Sequence, residues 1–96
     1  MRFVYKERYL KRFDRFSRQD QLLIAHAARQ IRAYYATRQA PHGLRIKLLH
    51  THQTARVFEA RASQSIRILW AEQGDTVTFA LVGLHDEVTR YLRSLR

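Results

Sequence analysis

Five charged residues recur at every second position in three runs that otherwise alternate with apolar side chains. They are Arg45 and Lys47, then Glu59 and Arg61, then Arg67. Residues two apart in an extended strand point to the same face. One sheet face therefore collects four cations and a single carboxylate, whereas a purely structural face would mix signs to gain cross-strand pairs. Such a cluster suits a phosphodiester. RNA carries its own nucleophile, the 2′-hydroxyl, so a protein that cleaves it needs neither metal nor covalent nucleophile. It must hold the hydroxyl in line, stabilise charge on the phosphorane, and supply a base and an acid. Arg67 and Lys47 are candidates for the charge, with Arg45 and Arg61 as further RNA contacts. His85 and Tyr91 follow the last strand, where they could border this face, and an imidazole can serve as acid or base.

Plainer roles exist for each. His85 could be an inert loop histidine, Tyr91 a core residue of a short helix, and Arg67 an ordinary exposed strand arginine. Glu59 can pair with only one or two of the arginines, and its role stays open. His50 and His52 have the spacing of a ligand pair, but no third ligand follows and both fall in an expected hairpin loop, so no metal or other cofactor is expected. Ser17 and the serines at 63 and 65 have no triad context.

The elements that must position these residues follow from periodicity. Before Pro41-His42-Gly43 the pattern is helical. Tyr5, Tyr9, Phe13 and Phe16 form one stripe, with Arg8, Lys11, Arg12, Arg15 and Arg18 opposite. Ser17, with Asp20 three positions on, caps a second helix that carries Ile24, Ala27, Ala28, Ile31, Tyr34 and Tyr35. Pro41 and Gly43 stop it. After Gly43 the period becomes two, and four strands are predicted: Leu44–Leu49, Arg56–Ala62, Ser65–Trp70 and Thr76–Val82, with Phe3–Tyr5 as a possible leading strand. Their short connections require antiparallel pairing. Asp86 is the predicted cap of a last helix carrying Val88, Tyr91, Leu92 and Leu95. The expected fold is a single α+β domain over residues 1–96: an N-terminal αα-hairpin on a twisted, mainly antiparallel sheet of four to five strands, then a short C-terminal helix.

Charge narrows the partners. The 96 residues hold 18 Lys and Arg against 8 Asp and Glu, a net +10, and all but three of the cations are arginine. Guanidinium matches phosphate oxygens and stacks on bases, which favours nucleic acid, with an acidic protein as a compatible second partner. Residues 1–38 carry most of the excess, and Arg8, Lys11, Arg12 and Arg15 are the expected docking stripe. There is no cysteine, so disulfides and thiolate metal sites are excluded. No signal-peptide pattern opens the chain, and the longest apolar stretch, near Leu22 to Ala28, is too short to span a bilayer, so a cytoplasmic protein is expected.

The run Gly43-Leu44-Arg45-Ile46-Lys47, the strand Ser65-Ile66-Arg67-Ile68-Leu69-Trp70 and the ending Leu81-Val82-Gly83-Leu84-His85-Asp86-Glu87-Val88 resemble the RelE/ParE superfamily of bacterial toxin–antitoxin proteins. The resemblance covers essentially the whole chain. It implies a ribosome-dependent endoribonuclease that cuts mRNA in the decoding site, contacts ribosomal RNA and is neutralised by a cognate acidic antitoxin. It further implies that Arg45 and Lys47 contact the RNA backbone, that Arg67 stabilises the scissile phosphate, and that His85 and Tyr91 occupy catalytic positions. The ParE branch shares the fold without the nuclease residues and poisons DNA gyrase, and an inactive RNA- or ribosome-binding relative would share the composition.

Overall fold

Two-residue turns at Gln53-Thr54 and Gly74-Asp75 reverse the chain, with Gln53 (φ 53°) and Gly74 (φ 60°) in the left-handed region that such turns require. They join β2 (Lys47–His52) to β3 (Ala55–Arg61) and β4 (Ile66–Gln73) to β5 (Thr76–Leu84), all antiparallel neighbours. A computed structural model describes residues 1–95. Its remaining elements are β1 (Arg2–Tyr5), α1 (Glu7–Asp14), α2 (Arg18–Thr37), a 3-10 turn at His42–Leu44, and α3 (His85–Ser94). The five-stranded sheet runs β1-β5-β4-β3-β2, with β1 parallel to β5. The α+β architecture is as expected.

The leading strand changes the first helix. Tyr5 belongs to β1 and stacks on Phe79 at 4.6 Å between ring centroids, so the helix opens only at Glu7. Parallel pairing is possible because both helices and three strands intervene before β5. α2 begins as read: the Ser17 hydroxyl accepts from the Asp20 N–H at 3.2 Å. It ends on left-handed Arg38, whose N–H donates to the Tyr34 carbonyl.

Both faces of the sheet carry cores. On one, Tyr9, Ile24, Ala27, Ala28 and Ile31 of the helices meet Ile66, Ile68, Trp70, Val77, Phe79 and Val82. At the far end of this face buried Glu72 pairs with Arg56, and the Trp70 indole N–H donates to the Tyr35 hydroxyl at 2.7 Å. On the other face, α3 lays Val88, Tyr91, Leu92 and Leu95 over Val57, Leu69 and Leu81. That face is therefore only half open, not fully wet as alternation implied. The consecutive buried residues Ile68-Leu69-Trp70 and Phe79 to Val82 mark strands covered on both sides.

Several boundaries move: β2 ends at His52, β4 at Gln73 and β5 at Leu84, each beyond its expected end. β2 starts at Lys47 because Leu44 is buried within the 3-10 turn and Arg45 adopts a left-handed conformation (φ 50°). A bulge between Leu48 and His50 then turns Leu49 into the α3 core and leaves Leu48 half exposed. At α3, Leu84 stands at the cap instead of Asp86, because the Glu87 carboxylate reaches back to accept from the Leu84 N–H at 3.1 Å.

Ile68 is fully buried in the central strand, so Ile68→Ala is expected to cost about 2–5 kcal/mol in urea denaturation. Leu22→Ala, at a 55% exposed position on α2, should stay within about 0.5 kcal/mol of wild type.

Candidate active site

Strand register assembles the cluster. Lys47 on β2 stands opposite Glu59 on β3; Arg61 on β3 stands opposite Arg67 on β4; Arg67 stands opposite Gly83 on β5. Arg45 approaches from the left-handed residue that precedes β2, and His85 opens α3 where β5 ends. Arg45, Ile46, Lys47, Glu59, Arg61, Arg67 and His85 line one cavity of about 470 Å³ beside the N-terminus of α3.

Two like charges face each other directly in the Arg61–Arg67 pair, an arrangement that destabilises a sheet unless compensated. Glu59 compensates it. Its carboxylate meets the Arg67 Nε at 3.0 Å, with both side chains about 15% exposed. Arg67 Nη1 also donates to the Gln64 carbonyl at 2.9 Å. A guanidinium has five N–H groups, so this anchoring orients Arg67 and leaves three donors for a ligand. The arrangement can clamp a phosphate with oriented guanidinium and ammonium donors while holding a carboxylate and an imidazole beside it. The sequence assigns Glu59 no role, although it stands out there as the one acidic residue among alternating cations.

Glu87 secures the position of His85. Arg12 of α1 donates through Nε and Nη2 to the two Glu87 oxygens at 2.8 and 2.7 Å, and the same carboxylate accepts the Leu84 N–H just before His85. Gly83 makes room for it: a Cβ there would lie 3.1 Å from Glu87 atoms. The Arg12 hydrogen bonds, opposed by partial burial and assisted by the Leu84 N–H, pull the Glu87 carboxyl from its ordinary 4.5 down to about 2. None of this was legible in the sequence, where Arg12 read as a free docking residue.

The other expected site residues are dispersed. Tyr91 does not line the cavity; its ring packs on the apolar patch beneath α3, with the Arg8 guanidinium 5.2 Å from its centroid. Arg8, Lys11, Arg12 and Arg15 line, with Glu7, a separate open hollow along α1. Within it Arg12 also stacks on Phe16 at 4.2 Å, and Lys11 pairs with Glu7 at 2.9 Å in an exposed bridge of little energetic weight. His50 and His52 lie on β2, not in a loop, with rings stacked at 6.3 Å. Among the described residues no group of three His, Cys, Asp or Glu side chains could hold a metal ion, and no helix is long and apolar enough to cross a membrane.

No protein-family model matches the chain, and no curated protein matches it by sequence. Solved structures do match. The RelB–RelE antitoxin–toxin complex from Methanococcus jannaschii aligns with a TM-score of 0.64 at 15% identity, over 92% of this chain and 96% of that one. YafQ from Escherichia coli strain BL21(DE3) aligns at 0.63 and 11%, over 92% and 98%. The YoeB/ParE toxin from Agrobacterium tumefaciens aligns at 0.65 and 16%, over 88% and 99%. The chain has the RelE/YoeB-type fold.

The lowered Glu87 pKa has a definite sign. A carboxyl depressed in the folded state stabilises it fully above the ordinary value of 4.5, and the contribution fades as pH falls toward 2. Glu87→Gln is therefore expected to be less stable than wild type by about 1–3 kcal/mol at pH 7. The gap should narrow by pH 3 in paired urea titrations; a gap independent of pH would refute the ionic role.

Proposed function

We propose that this protein is a RelE-type toxin that inhibits translation by cleaving mRNA on the ribosome, without a metal or other cofactor. The single observation that supports this reading most is the cavity in which Lys47, Arg45, Arg61 and Arg67 surround one carboxylate and one imidazole. In the proposed reaction the 2′-hydroxyl of the bound nucleotide attacks the adjoining phosphorus and the P–O5′ bond breaks, giving a 2′,3′-cyclic phosphate and a free 5′-hydroxyl. Glu59, held beside Arg67, is the base that takes the 2′-proton, and His85 is the acid that protonates the departing 5′-oxygen. The free donors of Arg67 and the Lys47 ammonium stabilise the phosphorane. Arg45 and Arg61 hold neighbouring phosphates.

Tyr91 takes a packing role in this scheme, since it lies outside the cavity under Arg8. The surplus of ten positive charges serves two partners: ribosomal RNA, through Arg8, Lys11 and Arg15 along α1, and a cognate acidic antitoxin. The antitoxin assignment draws support from the RelB–RelE complex, a toxin of this fold bound to its antitoxin.

Mapping mRNA ends on ribosomes after induction tests the reading. Wild type should produce new ends, and Arg67→Ala and His85→Ala should each reduce them by about 10²–10³-fold while circular dichroism stays native. Tyr91→Phe should stay within a few-fold of wild type. Intact mRNA accompanied by DNA breaks and an SOS response would replace this reading with a gyrase poison.

A further inference from the structure

The catalytic cavity has a neighbour. Gly43, Arg45, Arg61, Ala62, Ser63 and Gln64 line a second hollow of about 440 Å³ at the same end of the sheet. Arg45 and Arg61 line both hollows, so the two adjoin across this pair of guanidinium groups. The charge is unevenly divided. Beyond Arg45 and Arg61 the first hollow has Lys47, Glu59, Arg67 and His85, whereas the second has only neutral groups.

Of these neutral groups, Ala62, Ser63 and Gln64 are held by the turn between β3 and β4, and Gly43 belongs to the 3-10 turn before β2. The Ser63 hydroxyl accepts the Ile66 N–H at 3.1 Å, and the Ala62 N–H donates to the Ile66 carbonyl at 2.9 Å. The Gln64 carbonyl accepts from Arg67 Nη1 at 2.9 Å. Gln64 is thus fixed through its backbone to the arginine of the first cavity. Its exposed carboxamide has no hydrogen-bond partner among the described residues. A Cβ built on Gly43 would meet nothing within 4 Å, so that wall is open.

We infer that this second hollow is a nucleotide subsite, and that the Gln64 carboxamide reads the base next to the scissile phosphate. The inference rests on the nuclease reading for the position of the cut, while binding at the subsite can be measured without it. A polynucleotide whose phosphates sit on Arg45 and Arg61 must place an adjoining base and sugar beyond them. Single-stranded RNA is read by hydrogen bonds to exposed base edges and by stacking on guanidinium planes. A carboxamide offers one acceptor and two donors side by side, which matches the edge of adenine. Because Arg67 bonds the Gln64 backbone carbonyl, the backbone from which the carboxamide reaches is held at a fixed place beside the phosphate-holding arginine.

The test uses 2′-O-methylated oligouridines, which lack the attacking hydroxyl, with A, C, G or U at the central position, and fluorescence anisotropy with the full chain. Wild type should prefer the adenine-containing oligomer about fivefold or more. Gln64→Ala should bring the ratio close to one. Gln64→Glu, which removes the donors, should turn the preference toward cytosine and its amino group. Wild-type discrimination that survives in Gln64→Ala, or no discrimination by wild type, would overturn the subsite. Gln64-dependent discrimination by a protein that leaves mRNA uncut on ribosomes would uphold the subsite and remove the nuclease reading instead.

Discussion

The pairing of β4 with β5 is the constraint on which everything else rests. Ile68, Leu69 and Trp70 on one strand and Phe79 and Val82 on the other are fully buried, because α1 and α2 cover one face and α3 covers part of the other. Cores packed this closely do not deform continuously. The strand ends therefore emerge at fixed positions, and Arg67, Gly83 and His85 emerge with them. A site built on such a pair takes its rigidity from apolar packing several residues away.

Charge is concentrated at that rigid end against its own repulsion. Arg61 faces Arg67, and Arg45 and Lys47 join them in one cavity; Glu59 is the one acid within it. The strands, committed by their apolar faces, leave the cations no way to separate. An oligoanion would relieve the repulsion that they create. Gln64 and Glu59, by holding Arg67 from two sides, convert loose positive charge into oriented donors.

The α1–α3 connection extends this rigidity to the cavity's edge. Arg12, Glu87 and the Leu84 N–H form one bonded group over Gly83, and Arg8 lies against Tyr91 a little farther along α3. Two of the four cations on the α1 stripe thus fasten helices together. The remaining exposed charge of α1 lies next to the element that begins with His85.

Much of this protein was decided locally and could be read in order. The 3.6-residue stripe of α2, its Ser17 cap, the Gly74-Asp75 turn and the alternation around Arg61 and Arg67 depend on near neighbours, and local sterics and hydrogen bonds determine them. The RelE-like architecture and the cationic face were legible for that reason. What depended on distant partners was not. Glu87 displaced Asp86 from the cap because Arg12, 75 residues away, pairs with it, and α3 covers half of a sheet face that alternation alone leaves open. The sequence by itself determined which residues are charged and which face they share. Only the tertiary structure decided which charges are spent on one another, because pairing depends on distance in space and the sequence records distance only along the chain.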